Sequence, residues 1–156
     1  EAKAAFRDAL ERDEDSFAAH QGLADIAWLQ GDAPLAIEHY RQTVQLNPDA
    51  LTAAERLARI LATHPDDELR NGAEAVEIAQ RLCQRLGRTN PRARDTLAAA
   101  YAEAGQFDAA IQAAQIALDI ARRQGDRNVA IEAARHLEQY RRGEPLRESP
   151  SGSDET

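Results

Sequence analysis

The chain has 156 residues and a formal charge of −8, from 19 Lys and Arg against 27 Asp and Glu. That excess of acid argues against a nucleic-acid backbone or an anionic bilayer as the main partner, since both demand a basic face. Ala supplies 33 residues, whereas the aromatics are only Phe 3, Tyr 3 and Trp 1. This composition suits helices packed closely through small side chains and does not suit a sandwich or barrel.

In chain order, the first element is a lone helix over residues 1–14, with Ala2, Phe6, Ala9 and Leu10 on one face at helical spacing. Residues 17–50 form a helix pair. The first helix carries Leu23, Ala24, Ala27 and Trp28, and Gly31-Asp32 makes the turn. The second begins with Asp32 as N-cap and Pro34 in the first turn, then buries Ala36, Ile37, Tyr40, Val44 and Leu46 and ends before Asn47-Pro48. A second pair spans 51–90. Its first helix shows Leu51, Ala54, Leu57, Ala58 and Leu61; the loop THPDDELRNG (63–72) replaces a tight turn, and the second helix places Ala75, Val76, Ala79, Leu82, Cys83 and Leu86 inward. Asp67 to Asn71 is expected to supply that helix's capping box. A third pair, 91–124, uses Leu97, Ala98 and Tyr101, then Gly105, then Ala110, Ile111, Ala114, Ala117 and Leu118. A last helix, 127–142, carries Val129, Ala133, Leu137 and Tyr140 and is stopped by Gly143 and Pro145. The polar remainder, 143–156, is expected to be disordered.

The elements repeat. Ala2, Phe6, Ala9 and Leu10 recur 34 residues later as Ala36, Tyr40, Thr43 and Val44, and about 34 residues is the period of a two-helix repeat. Gly31-Asp32 and Ala36-Ile37 recur as Gly105-Gln106 and Ala110-Ile111 after two such periods plus six residues, the length the 63–72 loop adds. No helix can bury its apolar stripe alone, and stacked neighbours solve that. The expected fold is therefore all-α: a right-handed superhelix of antiparallel helix pairs over residues 1–142. It is divided into a half repeat at 1–16, units at 17–50, 51–90 and 91–124, and a C-terminal capping helix at 125–142.

The residues His20, Leu23, Ala24, Ala27, Ala36, Tyr40 and Pro48, and then Leu97, Ala98, Tyr101, Ala110 and Ala114, resemble the tetratricopeptide repeat. Ala24 stands where the family has Gly and Ala27 where it has Tyr, and Trp28 sits beside that slot. Residues 61–114 and 137–148 look like the closing segment of bacterial multi-repeat proteins. That likeness implies an accessory domain of a larger bacterial protein. A compartment is not fixed: cytoplasm and periplasm both fit, and a targeting signal would lie upstream of Glu1.

Catalytic patterns are missing from the sequence. There is no Gly-rich phosphate loop, no HExxH helix and no CxxC pair, and His20, His39, His64 and His136 share no ligand spacing. Cys83, the single cysteine, lies on an inward stripe and reads as a small buried hydrophobe. Asp66, Asp67 and Glu68 fall in a Pro-containing loop where nothing raises a carboxyl pKa. The expectation is a non-catalytic chain without metal or cofactor.

The resemblance implies a concave groove lined by the first helix of each unit. Its slots fall on Ala18, Gln21, Asp25, Trp28 and Leu29; on Thr52, Glu55, Arg59, Ala62 and Thr63; and on Arg92, Asp95, Ala99, Ala102 and Glu103. Relatives that grip an acidic chain terminus use Lys, Asn and Arg in such slots. Here Gln21 and Asp25 lead, and Asp25, Glu55, Asp95 and Glu103 outweigh Arg59 and Arg92, which favours a mixed or basic extended peptide or a partner helix. Trp28 reads either as packing in place of the missing Tyr or as an anchor for a partner. The leading expectation is a protein-interaction scaffold, with partners that are proteins or peptides and not nucleic acid or membrane. Self-association through the open face of the first helix is the alternative.

Overall fold

A computed structural model describes residues 1–148. Among the described residues there are eight α-helices and no strand: α1 Ala2–Arg12, α2 Phe17–Leu29, α3 Ala33–Leu46, α4 Leu51–Thr63, α5 Gly72–Leu86, α6 Pro91–Glu103, α7 Phe107–Gln124 and α8 Arg127–Arg141. None of them is long and apolar enough to cross a membrane. The helices fall into two compact units, residues 1–57 and 58–148.

In the first unit α2 packs against α3, and α1 packs on α2. Asp32 accepts a hydrogen bond from the Leu35 amide at 3.2 Å and so caps α3, whose Pro34 sits in the first turn, where its missing N–H costs nothing. The turn before it is made by Gly31 at φ +76, a left-handed conformation that any other residue would strain to adopt. Leu23, Ala24 and Ala27 of α2 meet Ala36, Ile37 and Tyr40 of α3 in a core where Tyr40 is fully buried. Trp28 is half-buried, and Phe6 of α1 lies against Gly22, where a Cβ would collide with its ring.

The second unit begins with the last two turns of α4. Its helices α5, α6, α7 and α8 pack in chain order, each against the next, and α6 also touches α8. Small residues make this closeness possible: Ala98, Ala100, Ala110, Ala114, Ala117, Ala121 and Ala133 are fully buried. The inserted loop is laced rather than loose. Asp66 caps a short 3-10 turn, Asp67–Leu69, by accepting from the Glu68 amide at 3.0 Å. Arg70 donates to the carbonyls of His64 and Pro65 at 2.8 and 2.9 Å and to Glu103 at 2.8 Å. The cap of α5 falls on Asn71, which accepts from the Glu74 amide at 3.1 Å while its own amide nitrogen donates to the Glu74 carboxylate.

The expectation of disorder from residue 143 onward does not hold for 143–148. After α8 the chain turns at Gly143, at φ +72, and residues 144–148 run back as a strap over the second unit. Leu146 is 5% exposed, the Glu148 amide donates to the Thr63 carbonyl at 2.8 Å, and Gln139 donates to the Pro145 carbonyl at 3.1 Å. Composition averages over such a segment; it does not register that one Leu and two charges each meet a matching place on the helices. The rest of the tail, 149–156, lies outside the described residues.

Candidate peptide-binding face

The site is built from three helices of the second unit. Arg59 and Thr63 on α4, Asp95 and Glu103 on α6, and His136 and Tyr140 on α8 each follow helical i, i+4 or i, i+8 spacing, so each pair shares one face of its helix. Across these faces lies the strap, and its charges meet theirs. Arg59 donates through Nε to Glu148 Oε2 at 2.7 Å and through a terminal nitrogen to Oε1 at 2.5 Å, a two-point grip on one carboxylate. Its remaining terminal nitrogen donates to Asp95 Oδ2 at 2.8 Å. Thr63 donates to the Arg59 carbonyl at 2.8 Å and reaches Glu148 Oε2 at 3.4 Å. His136 Nδ1 bonds Asp95 Oδ1 at 2.8 Å. A second ion-pair group sits alongside: Glu103 takes Arg70 on one oxygen at 2.8 Å and Arg147 of the strap on the other at 2.7 Å.

Burial and charge compete at these carboxylates, and charge wins. Burial would raise Asp95, but the His136 hydrogen bond and the Arg59 charge outweigh it and hold the carboxyl below its usual value. Glu148 follows the same course, with burial overcome by the Arg59 hydrogen bonds and charge and by His136. Burial would lower Arg59, yet Glu148 and Asp95 together raise it, so it stays a fixed cation. The face therefore combines an Arg that grips a carboxylate with acids that grip an Arg.

The sequence-expected slots meet different fates. Arg59, Asp95 and Glu103 come together as described, with Thr63 beside them, while Arg92 on α6 is exposed. In the first unit Asp25 is occupied: it accepts from the Tyr40 hydroxyl at 2.6 Å and from Arg56 at 2.7 Å. Burial, then the bond to Asp25, pushes the Tyr40 hydroxyl up to about 12. Gln21 and Glu55 are half-buried and Leu29 is 83% exposed.

The sequence reading missed His136, Arg147 and Glu148. His136 sits four residues before Tyr140, a signal that it shares the inward stripe, but nothing local announces its partner on α6. It also missed that antiparallel α2 and α3 bring His20 and His39 together, Nδ1 to Nδ1 at 2.9 Å. Among the described residues no group of three or more His, Cys, Asp or Glu is placed to hold a metal ion. Cys83 is buried, donates to the Ala93 carbonyl at 3.3 Å, and has its thiol pushed up by burial, away from nucleophilic thiolate.

Comparison with known proteins follows the same lines. Residues 1–50 match a family model described as the tetratricopeptide repeat. Over those residues the chain is similar to the tetratricopeptide repeat. No curated protein matches it. Among solved structures, a crystal structure of MamA is similar at 18% identity and TM-score 0.63, covering 90% of this chain and 85% of that one. A double mutant of MamA RS-1 is similar at 16% and 0.62, over 88% and 82%. A further crystal structure of MamA protein gives 18% and 0.56, over 83% and 75%. Identities this low speak to fold alone, and the shared fold is the all-α helical-repeat superhelix.

Proposed function

We propose that this scaffold binds an extended, mixed-charge peptide along the face of α4, α6 and α8 in its second unit, and that it does no chemistry there. The observation that carries this reading is the strap itself. An extended segment, with no helix or sheet of its own, lies on that face and is held by Arg59, Glu103 and the Thr63 carbonyl. A surface that holds one such segment has the chemistry to hold another. Non-catalytic use is supported by the state of the groups present: Asp95 and Glu148 are fixed as anions by their cationic partners, and the Cys83 thiol is buried and raised. The resemblance of 61–114 and 137–148 to the closing segment of bacterial multi-repeat proteins supports an accessory role in a larger protein. Separately, Gln21, Asp25, Trp28, Leu29 and Glu55 are proposed as partner-facing positions of the first unit by itself.

Site-specific photo-crosslinking in cells tests the reading. A crosslinking residue at Arg92, exposed on α6, is expected to capture a protein partner, and one at Gln112, exposed on α7, is not. Crosslinks arising from Gln112 and not from Arg92 would overturn it. Self-association is the second reading, favoured by α1, none of whose residues is buried within the chain. A micromolar dimer in sedimentation, abolished by Leu10→Glu, would bring it to the front.

A further inference from the structure

The strap fills its site without completing it. His136 is 2% exposed, yet its Nε2 has no hydrogen-bond partner among the described residues, and Glu148 Oε1 stops 3.9 Å away. The Tyr140 hydroxyl, one turn further along α8, is buried and equally unpartnered. Unpartnered buried polar atoms are costly, and few natural sites retain them without reason. With Nδ1–H directed at the Asp95 carboxylate, Nε2 of the neutral ring accepts, and an occupant that set a donor against it would satisfy what Glu148 leaves unmet. The strap's advantage is its tether. Arg142, Gly143 and Glu144 are all that separate α8 from Pro145, so its local concentration is high even where its fit is imperfect.

Three features define what the face selects. Leu146 is buried, Arg147 pairs with Glu103, and Glu148 is gripped by Arg59. We propose that residues 145–148 are a tethered self-ligand that gates this face, and that its ligand in trans is an extended partner segment carrying the same triplet: an apolar residue, then Arg, then an acidic residue. The inference rests on the peptide-binding reading above and adds the chemical class of the partner and the means by which access is controlled.

The test uses the full chain. Leu146→Asp together with Glu148→Ala frees the strap, and Glu148→Gln alone loosens it more gently. The probe is a fluorescent, C-terminally amidated peptide of residues 143–148, with a second version whose final Glu is Gln. Anisotropy is expected to show the freed chain binding the Glu probe about tenfold more tightly than the unaltered chain, the Gln probe losing about tenfold, and Glu148→Gln giving an intermediate gain. If thermal unfolding shows the double variant to be unfolded, the comparison of Glu148→Gln with the unaltered chain decides. Equal binding to freed and unaltered chains, or indifference to the probe's Glu, overturns the inference. Should that happen while Arg92 still crosslinks a partner, gating falls and the peptide-binding reading stands. Loss of the Arg92 crosslink instead removes the reading beneath it.

Discussion

The two histidines of the first unit show how geometry alone imposes a pH dependence. His20 Nε2 faces the Glu14 carbonyl at 3.2 Å, and a carbonyl can only accept, so that nitrogen carries its hydrogen. With both rings neutral, Nδ1 of His20 must then accept from Nδ1–H of His39. Protonating both rings would set two N–H groups against each other at 2.9 Å. Burial first, then the His20 charge, hold His39 below the usual 6.5, with Arg7 adding to the lowering and Glu38 opposing it. The unfolded chain thus takes a proton near pH 6.5 that the folded chain refuses, so stability falls as pH drops through that value and levels off once the folded His39 is also charged. His39→Gln is expected to flatten the unfolding midpoint between pH 7.5 and 5.5, and an unchanged slope would count against the pair. Asp95 and Glu148 are also held below their ordinary values, so they too stabilise less as pH falls, but in a lower range. Their stabilisation is present above ordinary carboxyl values and is lost only in stronger acid, so the two effects separate along the pH axis.

At the scale of elements, the close approach of α5 and α6 depends on one missing side chain. A Cβ at Gly72 would lie 2.6 Å from the Ala104 backbone nitrogen and 2.8 Å from the Glu103 carbonyl carbon. Ala in a helix is ordinarily favoured over Gly by up to about 1 kcal/mol. Here the overlap is with backbone, which cannot swing aside, and Gly72→Ala is expected to destabilise by about 2 kcal/mol in urea unfolding. A stabilised variant would show that α5 has room to shift. The helices themselves were legible in the sequence, because apolar spacing, Pro34 in a first turn and Asp32 as cap are local signals; the stripes marked on α2 to α8 contain most of the buried residues, whereas none on α1 is buried. The lacing of the 63–72 insertion was not legible: Arg70 is one Arg among many until the fold brings Glu103 and two loop carbonyls to it.

For the molecule as a whole, the fold class follows from many weak local preferences that agree with one another, whereas the site follows from a few contacts that agree with nothing local. Arg59 and Asp95 could be placed on helix faces by spacing, but their partners His136 and Glu148 are 41 and 89 residues away from Asp95 and Arg59 respectively. The excess of acidic over basic groove slots argued against an acidic chain terminus as ligand, and yet the strap presents a Glu to Arg59. Net charge describes encounter at a distance, and a two-point Arg grip acts at contact. The picture of a peptide-holding face occupied by its own chain end is tested most directly by amide hydrogen exchange at Glu148, whose N–H donates to the Thr63 carbonyl. That amide is expected to exchange at least about tenfold more slowly than in an unstructured peptide, and to lose the protection on Leu146→Asp. Exchange at the unstructured rate in the unaltered chain would contradict the account.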